Sequence, residues 1–160
     1  VLVVFDLDNT LADTAASFEL RDASDFARLA GLEPKPDMVE LLALAQQRWP
    51  VLVVSARANR FYPQTLSWVM RHTAIGDPRR VIQVPSPEQK IAALAPLVRQ
   101  FRKVVLIDDM TGQHETGTPT LYTDAIAAAR RAGIVHIGRD FIDSSQSVAN
   151  KLNTLEEACL

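Results

Sequence analysis

The chain has 160 residues, 48% of them hydrophobic and 22% charged, with a formal net charge of −2. That length supports one real core, read here as a single unit over 1–160, and the balance excludes a global electrostatic case for nucleic acid or membrane. No apolar run approaches the roughly 18 residues of a membrane span, and the lone cysteine, Cys159, excludes an internal disulfide and a Cys-built zinc site, so a reducing, cytoplasmic setting is expected.

The chain opens directly on an apolar run, Val1 to Phe5, without a methionine, as a processed chain or a fragment would. The run has no basic leader and ends in carboxylates, so it reads as a strand and not as a signal peptide. Four similar runs follow: Val51 to Val54, Val81 to Val84, Val104 to Ile107 and Ile134 to Ile137. Each is nearly all apolar, as strands buried on both faces of a parallel sheet are.

Helical patterns separate these runs. Thr14 to Ala30 places Phe18, Phe26 and Leu29 on a rough helical period and closes at Gly31. A second pattern starts at Pro36, where Asp37 and Glu40 read as a capping box, and continues to Arg48. A third spans Gln64 to Arg71. A fourth starts at Ser86-Pro87-Glu88-Gln89, with Ser as the cap and Pro at the first position, and is expected to reach about Gln100. A fifth, Asp124 to Ala132, stops at Gly133. Met110 to Tyr122 is irregular and reads as a solvated loop holding His114 and Glu115. The C-terminal tail, about 139–160, is polar after Asp143 and is expected to form one docking helix there. Strand and helix alternate, which predicts an α/β, doubly wound, mainly parallel five-stranded Rossmann-like sheet.

In such a sheet, chemistry collects outside the carboxyl ends of the strands. The first run delivers Asp6-Leu7-Asp8-Asn9-Thr10 there. Asp6 and Asp8 project to the same side of an extended backbone. Adjacent carboxylates repel by about 4 kcal/mol at an effective dielectric of about 20. A chain keeps such a pair for a cation, a shared proton or both. A strand end with an Asp cap is the plainer alternative, and one Asp would serve it. The second run ends in Ser55-Ala56-Arg57 and the fourth in Asp108-Asp109, and Lys90 lies in the first turns of the fourth helix. Each alone has a plain reading: a cap, a solvated lysine, a strand end. Jointly those readings need four coincidences in the right order.

The order and content resemble the haloacid dehalogenase superfamily of aspartate-nucleophile phosphotransferases. Phe5-Asp6-Leu7-Asp8-Asn9-Thr10 is similar to its first motif, Val51 to Ser55 to its second, Lys90 to its third, and Val104 to Asp109 to its fourth. The resemblance implies a phosphatase that forms an aspartyl-phosphate on Asp6. It implies Asp8 as general acid, then base, with a carboxylic acid that its acidic neighbours keep protonated near neutral pH. It implies magnesium held by Asp6, the backbone carbonyl of Asp8, Asp108 and Asp109. Ser55, Arg57, Lys90 and Thr10 are the implied substrate-binding residues, with Lys90 offsetting charge on nucleophile and phosphate. Dehalogenase members lack the second acid and the ion-pump ATPases have Thr there, so Asp8 points to phosphatases and phosphomutases. Asn9 stands where Gly is frequent; Asn tolerates turn conformations.

Substrate choice in the superfamily depends on cap insertions. The interval from Asp6 to Ser55 holds a flap or minimal cap (about 11–35), with the helical excursion Thr14 to Ala30, and the connecting helix, and that from Ser55 to Lys90 holds a helix and a strand. The cap is therefore expected to be small or absent and the site open. An open site suits a large phosphorylated substrate or a cap lent by a partner subunit. The Ser-x-Arg sequence further resembles the phosphatase domain of phage-type polynucleotide kinase-phosphatases. That likeness implies that Arg57 contacts substrate phosphate, that Phe61 and Tyr62 stack on a base, and that a 3′-phosphorylated nucleic acid end is the substrate; an exposed Arg beside a core aromatic is the plainer reading of the same residues. A phosphorylated small molecule is the alternative. Two other readings stay open. A phospho-acceptor signalling domain also uses paired Asp, a hydroxyl and Lys, but there the acid pair sits on the first strand and the acceptor Asp comes later, on the third, whereas here the doubled acid, Asp108-Asp109, comes last, after Lys90. A non-catalytic scaffold is the other, against which every expected residue counts.

Overall fold

The structure is a computed structural model that describes residues 1–14, 29–112 and 119–160. Five parallel strands form its sheet: β1 (Leu2–Phe5), β2 (Val51–Ser55), β3 (Val81–Gln83), β4 (Val104–Ile107) and β7 (Ile134–Ile137), in the order β3-β2-β1-β4-β7. These are the five apolar runs, with ends shifted by no more than a residue. A short antiparallel hairpin, β5 (Thr111–Gly112) with β6 (Thr120–Leu121), stands apart from the sheet.

The helices are α1 (Pro36–Gln46), α2 (Tyr62–His72), α3 (Pro87–Leu94), α4 (Thr123–Arg131), α5 (Arg139–Ile142) and α6 (Val148–Cys159). β1 alternates between two cores, as side chains along a strand must. Val3 and Phe5 face a core with Leu41, Leu42, Trp68 and Leu155, whereas Leu2 and Val4 face one with Ile91, Leu94 and Ala129. Helices therefore cover both faces of the sheet.

Several sequence expectations change here. The helix at Pro36 has no capping box: Lys35 is the N-cap and its side chain caps no amide of the helix, and Pro36 takes the first turn. Asp37 therefore lies inside the helix, where its carboxylate accepts a hydrogen bond from Lys151 at 2.5 Å. The helix that opens at Ser86, whose hydroxyl accepts from Gln89 N, ends at Leu94 and tightens into a 3-10 segment over Ala95–Arg99. Pro96 lacks the amide hydrogen needed to continue it. The stretch after Asp143 forms one helix, α6, which packs on the core as expected, and the short α5 precedes it. The Met110 to Tyr122 stretch carries the β5-β6 pairing at its described ends. A side chain at Gly112 would collide with the ring of Tyr122, so the hairpin closes there only on glycine. His114, Glu115, Phe18, Phe26 and most of the 11–35 flap lie outside the described residues.

The chain runs β1, β2, β3 in one direction across the sheet and then β4, β7 in the other. β1 and β4 are therefore neighbours at the switch point, where a crevice opens at their carboxyl ends. Phe5 pairs with Ile107, so Asp6 and Asp108 are the next residue on each strand.

Candidate active site

The switch point brings the acids together. Asp6, Asp108 and Asp109 each offer a carboxylate oxygen, and these atoms lie within 4.8 Å of one another. All three residues are buried. Lys90 reaches them from α3, with Nζ 2.6 Å from Asp6 Oδ1 and 2.6 Å from Asp108 Oδ2. One ammonium among three buried carboxylates leaves surplus negative charge. Burial and the charge of Asp108 push the Asp6 pKa well above the carboxylate range, with Lys90 opposing them only in part. For Lys90, burial is outweighed by Asp108 and Asp6, which hold the ammonium charged. An all-oxygen donor set with excess negative charge fits a hard divalent cation.

Asp8 lies apart from that cluster and in a different electrostatic setting. Arg57 donates to it twice, Nε to Oδ2 at 2.8 Å and Nη2 to Oδ1 at 2.7 Å. Thr14 Oγ1 donates to Oδ1 at 2.7 Å. Burial pushes Asp8 up, but the charge and hydrogen bonds of Arg57, with Thr14, outweigh it and bring the pKa below its ordinary value. The expectation that acidic neighbours keep Asp8 protonated is therefore reversed in this structure. The flap geometry explains the role of Thr14. Leu11 N and Ala12 N both donate to Leu7 O at 2.9 Å, which turns the chain back, and Asp13 N then pairs with Glu33 O.

Arg57 was expected at substrate phosphate. Here its guanidinium is engaged with Asp8 and, through Nη1, lies 3.4 Å from Thr65 Oγ1. Ser55 is fully buried, its hydroxyl 3.5 Å from Asp8 Oδ2 and accepting from Arg57 N at 3.3 Å. Thr10 was expected at substrate too. It is fully buried, and its hydroxyl accepts from Asp109 N at 3.3 Å. It ties the first motif to the fourth and does not face the cavity.

Asn9 has φ of 58°, the left-handed conformation that an Asn accepts at least cost. Met110 has φ of 50°, which a Met rarely adopts. Its amide donates to Asp108 Oδ1 at 2.8 Å, so the strained turn aims one acid of the cluster.

No protein-family model matches the sequence, and no curated protein does. Solved structures match in fold. A chain of the Pnkp1/Rnl/Hen1 complex superposes with a TM-score of 0.58 at 16% identity, over 86% of this chain and 45% of that one. The class C acid phosphatase from Bacillus anthracis with tungstate bound gives 0.56 at 15% identity, over 99% of this chain and 78% of that one. A HAD-family hydrolase from Deinococcus radiodurans, with bound phosphate and sodium, gives 0.51 at 18% identity, over 99% and 96%. The chain has the haloacid dehalogenase-like fold.

On this haloacid dehalogenase-like sheet the acids open into a cavity of about 390 Å³. Leu29, Arg60, Phe61, Pro87 and Tyr122 form its outer wall. The Arg60 guanidinium lies 4.9 Å from the centre of the Phe61 ring, a cation–π contact at the rim. Tyr62 is not part of this wall; it opens α2 and packs on the core. Thr14, Thr65 and Tyr122 are site residues that the sequence reading missed. Nothing local marks a threonine as a partner of a carboxylate or a guanidinium.

Proposed function

We propose that this chain is a magnesium-dependent phosphatase that hydrolyses phosphomonoesters through an aspartyl-phosphate on Asp6. The observation that carries the reading is the cluster of three buried acids beside Lys90 at the switch point. Asp6, Asp108 and Asp109, with the backbone carbonyl of Asp8, would hold the ion. When bound, magnesium supplies positive charge that offsets both the acids and the phosphoryl oxygens.

The chain's own residues account for the remaining steps. A carboxylate oxygen of Asp6 attacks phosphorus, and the bond from phosphorus to the leaving oxygen breaks. Asp8 gives its proton to that oxygen. Asp8 must first gain this proton, and Arg57 opposes that. An arriving phosphoryl group competes for the guanidinium. Drawing Arg57 toward phosphate relaxes its hold on Asp8 and lets burial raise the Asp8 pKa. Water then attacks the phosphorus of the aspartyl-phosphate and gives its proton to Asp8, the bond from phosphorus to the Asp6 oxygen breaks, and inorganic phosphate leaves, which restores both carboxyl groups. Ser55 and Lys90 donate to phosphoryl oxygens.

The leaving group we favour is a nucleotide or a 3′-phosphorylated nucleic acid end. The Ser55-Ala56-Arg57 sequence supports it, as does the Arg60–Phe61 pair on the cavity wall, which offers a ring and a cation to a base and its backbone. The test is release of inorganic phosphate from nucleotides, sugar phosphates and 3′-phosphorylated oligonucleotides, with and without magnesium. We expect magnesium-dependent release, fastest from the oligonucleotide. Preference for a sugar phosphate would move the substrate to small metabolites. No magnesium-dependent release from any of them, aryl phosphates included, leaves only a binding scaffold.

A further inference from the structure

The turn that presents Asp108 and Asp109 is fixed at almost every backbone position. Asp108 N donates to Ile137 O at 3.0 Å, and Tyr122 N donates to Met110 O at 2.8 Å. Asp109 N donates to Thr10 Oγ1, and Met110 N to Asp108 Oδ1. The carbonyl of Asp108 has a side-chain partner: His136 Nε2 lies 2.7 Å from its oxygen. A carbonyl only accepts, so Nε2 carries the hydrogen and donates.

His136 is the one polar residue of β7, among Ile134, Val135 and Ile137. It pairs in register with Leu106, two residues before Asp108. The next turn makes room for its ring. A Cβ at Gly138 would stand 3.2 Å from His136 Cε1. The backbone of Gly138, at φ −100° and ψ −163°, is one that any residue adopts. Glycine at that position therefore serves the ring, not the chain.

We propose that His136 is a positioning residue for the acid cluster: by holding the Asp108 carbonyl it fixes the Asp108–Asp109 peptide, and with it the directions of both carboxylates. Met110 supplies the reason a clamp is needed. Its left-handed φ costs energy, and a strained turn persists only where its surroundings over-determine it. Without the imidazole, the Asp108 carbonyl loses its partner and the peptide turns to find another. The two acids then no longer share one point. Partners of this kind, one step behind the ligands, are worth roughly 10- to 100-fold in metal affinity.

The inference rests on the reading that Asp6, Asp108 and Asp109 hold a divalent ion, and a binding measurement separates the two. Metal-free protein is titrated with Mn2+ while free Mn2+ is followed by electron paramagnetic resonance, and folding is checked by circular dichroism. His136→Ala should weaken Mn2+ binding by roughly 10- to 100-fold. His136→Gln, whose amide N–H can meet the same carbonyl, should restore most of it, a rescue that loss of packing alone does not give. Gly138→Ala, which crowds the ring without removing it, should weaken binding by less than His136→Ala and carries the test should the alanine variant not fold. A folded His136→Ala that binds as wild type does, or a Gln variant as weak as Ala, overturns the inference alone. A wild-type protein that binds no Mn2+ overturns it together with the metal reading.

Discussion

Arg57 grips both oxygens of Asp8 in a fork, at 2.8 and 2.7 Å, and so holds ionised the carboxylate that the proposed reaction needs as an acid. The two roles conflict in the free protein. A phosphoryl group resolves the conflict by competing for the same guanidinium. In this reading the proton donor becomes competent only once a phosphate is present.

That coupling predicts a pH dependence. Arg57 lowers the Asp8 pKa, so the protonated form of the free protein is lost early as pH rises. For an alkyl phosphate, whose leaving oxygen needs a proton, kcat/KM should fall with rising pH. Arg57→Ala removes the cation that stabilises the carboxylate, so the Asp8 pKa rises and the descending limb moves to higher pH. An aryl phosphate, with a good leaving group, should show little of this. Profiles of both substrates in both proteins check the point. An unmoved limb in Arg57→Ala would detach Arg57 from the acid.

Asp6→Asn should abolish turnover, by about 10⁴-fold or more, as loss of a nucleophile does. The fold should persist, because the amide keeps the shape and removes a buried charge. The variant also isolates a stability effect. The Asp6 pKa is raised in the folded state, so the folded protein binds more protons there than the unfolded chain. This stabilisation is complete below the unfolded carboxylate pKa and is lost as pH rises through the raised folded value. Urea denaturation of metal-free protein should therefore show wild type losing ground to Asp6→Asn between acidic and neutral pH. Parallel stability curves would contradict the assignment of that raised pKa.

Lys90→Met should destabilise the metal-free protein by about 3–5 kcal/mol, because it strands Asp6 and Asp108 as buried, uncompensated acids. A divalent cation can supply the missing charge. Magnesium should therefore stabilise Lys90→Met more than it stabilises wild type. Denaturation midpoints with and without magnesium decide it, and an equal magnesium effect in the two proteins would argue that the ion and the ammonium do not share these acids.

The sheet was legible because each strand is a short, nearly all apolar run, as strands buried on both faces of a parallel sheet are. The acids were legible because Asp6 and Asp108 each stand one residue beyond such a run, with Asp8 and Asp109 close behind. Partnerships were not. Arg57 follows Ser55 by two residues, and that spacing does not say whether its guanidinium turns outward to substrate or back to Asp8. Thr10 was visible as part of a motif, but its hydroxyl meets an amide 99 residues away. Asp37 looked like half of a capping box because Glu40 follows at the right interval. Its partner, Lys151, lies 114 residues on, and local spacing carries no trace of that.

The Asp37–Lys151 pair gives the last prediction. Lys151 is fully buried on α6, donating to Ile142 O at 2.8 Å and to Asp37, whose side chain remains 38% exposed. The ammonium also lies 5.8 Å from the Phe141 ring centre. Three elements, α1, α5 and α6, thus meet on one buried cation. The two ends of the pair are not equivalent. Asp37→Asn leaves a partly exposed amide that still accepts, and should cost about 1 kcal/mol. Lys151→Ala removes the whole buried stem together with the donor to Ile142 O, and should cost about 2–5 kcal/mol, as cavity-forming changes do. Lys151→Met refills the space without the charge and should recover a large part of that loss. Denaturation midpoints of the three variants order the effects. If Met is as damaging as Ala, the charge and not the packing holds the C-terminal helix. If Asp37→Asn matches Lys151→Ala, the ion pair dominates over the carbonyl and the stem.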